Sequence, residues 1–126
     1  TRAATEYNQL CLGDLEGMRT DSRALLEAAV VLARDTWSDA SAQFDWQDLS
    51  MYVIHQVSKI HTEAIARALD IDLARVPQTF PTQGNIGPAS IPFTLARNSE
   101  HLTTGDRVAC MGIGSGLNSA VIEIEW

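Results

Sequence analysis

Residues 108–126 read VACMGIGSGLNSAVIEIEW, and the reading of Gly112-Ile113-Gly114-Ser115-Gly116 within them decides the fold. A glycine cluster this dense has the look of a phosphate cradle. A dinucleotide fingerprint, however, needs Gly-x-Gly-x-x-Gly between a strand and a helix, because the first turn of that helix supplies the amides that hold the pyrophosphate. Leu117 occupies the place of the third glycine, and residues 120–126 are β-branched and partly alternating, the pattern of a strand. The glycines are therefore expected to join two strands. Two uses remain for them: a turn that needs positive φ, which glycine adopts without steric cost, or bare backbone N–H groups offered to a ligand oxygen.

Working outward, residues 20–40 read TDSRALLEAAVVLARDTWSDA. Thr20 and Asp21 are cap candidates, and Leu25, Leu26, Ala29, Val30 and Ala33 recur at helical spacing, which predicts a long amphipathic helix over 20–38. Residues 45–48 form a connector, and 49–54 (LSMYVI) predict a strand covered on both faces. A second helix starts at about Ser58, with Ile60, Ala64, Ile65, Ala68 and Leu69 on one side and Lys59, Glu63 and Arg67 on the other. Pro77 and Pro81 predict an extended course for 76–82. A third helix begins between Gly84 and Ser90 and runs to about His101, and residues 103–106 turn into a strand over 107–112. Residues 1–19, with Gly13 and Gly17, read as an irregular loop leading into a domain over 20–126. The element order predicts an α/β layered domain whose long helix packs against strands at 50–55, 107–112 and 119–125.

Composition narrows the partners. The 126 residues suffice for one domain, and a hydrophobic fraction of 45% can fill its core. A net charge of −7, with nine Lys and Arg spread singly, builds no basic face, so neither nucleic acid nor an anionic membrane is expected to bind. No apolar run approaches the roughly 20 residues of a membrane-spanning helix, and no signal segment opens the chain; a cytoplasmic protein is expected. Cys11 and Cys110 lie far apart with no Cys or His at ligand spacing, which predicts neither a metal site nor a disulfide framework. Cys110 reads as a small buried hydrophobe. The chain opens at Thr1 and not Met, as a piece of a longer protein would.

Three polar clusters fall at the ends of the predicted elements: His55-Gln56 after the first strand, Gln83-Gly84-Asn85 before the third helix, and the glycine turn. In layered α/β folds, ligands gather at strand C-termini and helix N-termini, where backbone groups and side chains converge. One site can use all three clusters. Each residue also has a plainer reading: Asn85 as a helix cap, and His55, His61 and His101 as structural histidines. A His55/His61 metal pair lacks a third ligand.

Read together, IHQVSKIHTEAIARALDI, TQGNIGPASIPFTLA and GDRVACMGIGSGLNSAVIEIEW resemble, in order and spacing, the C-terminal half of the ketoacyl synthase III group of the thiolase superfamily. The resemblance covers the chain from about Met18 to Trp126 and implies a thiolase-like half-fold of helices layered on a mixed sheet. It implies two members of a Cys-His-Asn triad at His55 and Asn85, donors to an enolate oxygen, and it implies an oxyanion-binding amide in the glycine turn, assigned to Gly114. It further implies a Claisen condensation of acyl-CoA or acyl carrier protein thioesters without a cofactor, a nucleophilic cysteine in an N-terminal half, and a homodimer of the whole. The family commonly reads His-Gln-Ala-Asn and Gly-Asn-Thr-Ser-Ala where this chain has His55-Gln56-Val57-Ser58 and Gly84-Asn85-Ile86-Gly87-Pro88. Those departures resemble the olefin-biosynthesis branch, which joins two long acyl-CoA molecules head to head. Cys11, in a polar loop with no helix start behind it, does not replace the nucleophile. The competing reading is a non-catalytic assembly subunit that keeps the fold.

Overall fold

Alternation along two parallel strands organises the molecule. The computed structural model describes residues 1–46, 48–114 and 116–126, so Gln47 of the 45–48 connector and Ser115 of the glycine turn lie outside the described residues. β4 (Met51–Ile54) pairs in parallel with β5 (Arg107–Gly114), which pairs antiparallel with β6 (Asn118–Glu125); β1 (Arg2–Ala3) completes the order β1-β6-β5-β4. Successive side chains of a strand face opposite ways, and both faces here are covered. Tyr52, Ile54, Ala109 and Met111 share a core with Ala33 of α1 (Ser22–Ser41) and with Ile65 and Leu69 of α2 (Lys59–Leu69). Met51, Val53, Val108 and Cys110 share another with Ile91 and Leu95 of α4 (Ser90–Asn98) and with Leu102. The result is the expected α/β layering on a mixed sheet, and the glycine turn joins two antiparallel strands.

Local chemistry sets the helix limits. Asp21 caps α1 by accepting from the Ala24 N–H at 3.0 Å, and Ala28, Ala29, Leu32 and Ala33 form its buried stripe. The sequence predicts that this helix lies on all three long strands. It does so: its backbone comes near β6 as well as α2, Ala33 is packed with Tyr52 and Ile54 of β4 and with Ala109 and Met111 of β5, and the ring of Trp37 lies 6.1 Å from that of Tyr52. Ser58 caps α2 in extended conformation, and Asp70 ends it in the left-handed region at φ 55°, which an Asp tolerates.

Two stretches differ from expectation. Residues 1–19 are not irregular: β2 (Cys11–Gly13) and β3 (Met18–Thr20) form an antiparallel hairpin, preceded by β1 and a 3-10 turn over Thr5–Leu10. Asp14 Oδ1 closes the hairpin by accepting from the Glu16 and Gly17 amides. Its strands are three residues each and mostly exposed, so they carry no hydrophobic period to read. Residues 76–82 are not extended throughout, since α3 (Phe80–Gln83) makes a single helical turn. Pro81 stands in its first turn, where a missing N–H costs nothing.

Candidate active site

A cavity of about 350 Å³ opens where β4 and β5 end and α1 and α2 begin. Its lining brings together the three residues singled out from the sequence: His55, Asn85 and Gly114. Apolar side chains from α1 (Leu25, Ala29), α2 (Ile65) and β5 (Met111) make up much of the remaining wall, and the β2–β3 hairpin contributes Cys11 and Met18 at one side. A second, wider cleft of about 680 Å³, lined by Trp37, Trp46, Asp48 and Arg75 among others, holds none of these residues.

His55 follows β4 directly, and its N–H donates to the Met111 carbonyl at 3.0 Å, which extends the parallel ladder by one bond. The half-buried ring is held at one end, with Nδ1 2.7 Å from Ser90 Oγ. Nε2 makes no hydrogen bond to a described residue. Burial, and then the nearby imidazole of His61, lower the pKa of His55 from its ordinary value, so the ring is neutral near pH 7 and carries one N–H to donate.

Asn85 sits in the connection between α3 and α4, flanked by Gly84 at φ 67° and Gly87 at φ 60°, a backbone path that glycine takes without strain. The capping reading does not hold, since neither the turn over Gly87–Ala89 nor α4 has a side-chain cap. Asn85 Oδ1 turns back to accept from the Gly87 amide at 2.9 Å, and this fixes the carboxamide while Nδ2 makes no hydrogen bond to a described residue. Gly114 ends β5 opposite Asn118, whose side chain would lie 3.3 Å from a Cβ at this position. Two side-chain donors and a bare strand end thus line one space.

Sequence reasoning gave three contributors no role of their own in the site, although Gln56 stood in one of the polar clusters. Gln56, fully buried, sends its carboxamide to four backbone groups: Nε2 donates to Ile54 O and Pro77 O, and Oε1 accepts from the Thr79 and Phe80 amides. It ties the residue after His55 to the segment before Asn85. Ser90 stood in the Ala-Ser-Ile-Pro run without an assigned role. His61, read as structural, lines the same cavity, with Nδ1 2.9 Å from Ser58 Oγ and its pKa lowered by burial. Cys11 also reaches the cavity, its Sγ accepting from Thr20 Oγ1 at 3.4 Å. Among the described residues no group of three or more His, Cys, Asp or Glu could hold a metal ion, and no helix is long and apolar enough to cross a membrane.

Helices layered on a mixed sheet, with a His and an Asn at a cavity by the strand ends, define a thiolase-like half-fold. Residues 40–126 match the family described as 3-oxoacyl-(acyl-carrier-protein) synthase III, C terminal, and the chain belongs to that family. It is 46% identical, over its full length, to 38% of the acyl-CoA:acyl-CoA alkyltransferase of Xanthomonas campestris. Against the beta-ketoacyl-(acyl-carrier-protein) synthase III of Bartonella henselae it is 31% identical, with 86% of this chain and 35% of that protein covered. The crystal structure of 3-oxoacyl-(acyl carrier protein) synthase III from Xanthomonas oryzae superposes with a TM-score of 0.93 at 46% identity, covering 99% of this chain and 38% of that one. That of a Xanthomonas campestris OleA variant gives 0.93 at 45%, with the same coverage. The chain therefore spans less than two-fifths of the length of these relatives.

Proposed function

We propose that this chain supplies the enolate-stabilising part of a synthase III-type Claisen condensation of acyl thioesters, an acyltransferase reaction in fatty acid or long-chain hydrocarbon biosynthesis. The observation that carries the reading is the convergence of His55, Asn85 and Gly114 on one cavity, with Nε2 and Nδ2 making no hydrogen bond to a described residue. A thioester that gives its α-proton to a base supplied from outside this chain, or loses carbon dioxide, becomes an enolate, and its negative oxygen accepts from the neutral His55 imidazole and the Asn85 carboxamide. Neither donor has to give up its proton. The carbanion then attacks the thioester carbonyl of an acyl group carried on a cysteine. The resulting oxyanion takes an amide of the glycine turn, assigned to Gly114, and collapse expels the cysteine thiolate.

The cysteine belongs to an N-terminal half with which this chain works, and the whole forms a homodimer in the cytoplasm. No cofactor takes part, since the thioester itself carries the activation. Two acyl-CoA molecules are the favoured substrates over an acyl-CoA with malonyl-acyl carrier protein. This is supported by the higher identity to the alkyltransferase than to the synthase III relative, 46% against 31%, and by a related OleA variant solved with bound lauroyl-CoA.

With both halves present, His55→Ala and Asn85→Ala are each expected to slow condensation by about 10²–10³, the loss that follows removal of one preorganised donor. Transfer of the first acyl group onto the cysteine should continue, because these donors serve the enolate. Condensation at the wild-type rate by Asn85→Ala, or loss of loading along with condensation in both variants, overturns the assignment.

A further inference from the structure

A neutral imidazole stabilises an enolate only if its single proton is on the nitrogen that meets the substrate. The second nitrogen must then be an acceptor, and something must keep it so. In this molecule that nitrogen is Nδ1, 2.7 Å from Ser90 Oγ. Ser90 is completely buried at the first position of α4, 35 residues from His55 in the chain.

We propose that Ser90 is a positioning residue whose hydroxyl donates to His55 Nδ1 and so holds the imidazole as the tautomer protonated on Nε2. The inference rests on the reading of His55 given above. The direction of the bond follows from the other neighbour of Oγ. The Gln56 N–H lies 3.5 Å from it, a long contact, and a backbone amide can only donate. Oγ accepts from Gln56, and its own proton needs an acceptor. Among the described residues Nδ1 is the one other atom hydrogen-bonded to it. The reverse arrangement, with a proton on Nδ1, would bury a hydroxyl proton without an acceptor and would leave Nε2 as a lone pair facing a developing negative charge.

Ser90 also departs from what helical hydroxyls do elsewhere in the chain. Thr36 and Ser41 each donate to the carbonyl four residues back, the local bond open to a Ser or Thr inside a helix. Ser90 follows directly on a 3-10 turn over Gly87–Ala89, so backbone carbonyls do precede it and its own N–H bonds Gly87 O, yet among the described residues its hydroxyl is hydrogen-bonded only to His55 and Gln56. Its hydroxyl is turned across to another element. Gln56 fixes the backbone beside His55 through its four bonds, and Ser90 fixes the ring.

The test uses the protein carrying both halves, with ¹⁵N-labelled histidine. Long-range ¹H–¹⁵N spectra of the wild type at neutral pH should show a pyridine-like Nδ1 and a protonated Nε2 for His55. In Ser90→Ala the single-tautomer signature should be lost, with a fall in condensation kcat of about 10–100-fold, the range found when a partner that orients a functional imidazole is removed. KM and cysteine loading should change little, and Ser90→Thr, which restores a hydroxyl, should recover most of the rate. A protonated Nδ1 in the wild type overturns the proposal, and so does a Ser90→Ala variant that condenses normally. If Ser90→Ala does not fold, the wild-type spectrum alone decides. The two readings fail separately: an active His55→Ala overturns the proposed function, whereas an inactive His55→Ala beside a fully active Ser90→Ala overturns only the role of Ser90.

Discussion

At the scale of single residues, burial decides which ionisable groups are chemically available. Cys110 points from β5 into the core under α4, and burial raises its thiol to a pKa of about 11. At pH 8 only about one such thiol in a thousand is ionised, against roughly a quarter for an ordinary cysteine. Alkylation of native Cys110, followed by peptide mass spectrometry, should therefore run at least about 10² slower than in the unfolded chain. His55 and His61 carry the opposite sign. Both have folded-state pKa values below the ordinary one, so the unfolded chain binds more protons as the pH falls below about 6.5, and stability drops over that window. Replacing His61 with Gln removes the smaller of the two causes acting on His55. Its NMR titration midpoint should rise, yet stay below the ordinary value because burial remains; an unmoved midpoint would show that the two imidazoles are not coupled.

Among the elements, the pairing of β5 with β6 is locked at its outer end by a polar knot. Arg107 grips Glu123 through two bonds, at 2.6 and 3.1 Å, and the buried Trp46 indole N–H donates to the same carboxylate at 2.8 Å. Glu123 stands opposite Ala109, two pairs along from Arg107 and on the same face, so the contact is a cross-strand diagonal. Glu123→Gln keeps an acceptor for Trp46 and should be mild. Glu123→Ala leaves a buried donor unpaired and should cost about 1–3 kcal/mol by urea unfolding. Equal stability for the two variants would show that the indole bond contributes nothing. The knot was not legible beforehand, because Trp46 lies 77 residues from Glu123 and its connector carries no periodic signal. α1 and the two long strands were legible, since each is long enough for its period to stand out against local noise.

For the molecule as a whole, the exposed apolar side chains are informative. Leu12, Leu15 and Met18 stand out on or beside the β2–β3 hairpin, at 54%, 108% and 74% exposure, and Met18 also lines the cavity. Ile60 on α2 and Trp126 add to them. Large apolar side chains exposed together on one short hairpin are normally covered in a folded protein, and the relatives have more than half their length left to do so. Produced alone, the chain should self-associate or aggregate; produced with the cysteine-bearing half, it should elute as one complex. Light scattering that reports a stable, folded 13.7 kDa monomer would contradict this.

The sequence by itself determined the layering and offered the candidate donors. Hydrophobic period is a local property, so the 20–38 helix, the doubly covered strand before His55 and the strand character of residues 120–126 could be read from neighbours alone, and the last of these excluded the phosphate loop. Resemblance supplied His55 and Asn85, because a motif stores residue types in order. Tertiary structure alone decided what those residues face and what holds them. The bond between His55 and Ser90, the carboxamide of Gln56 spanning two segments, and the hairpin at the cavity edge all join positions whose separation in the chain says nothing of their distance in space. They form only once burial has brought strand ends and helix starts together, where a polar group cut off from water must find its partner within the protein.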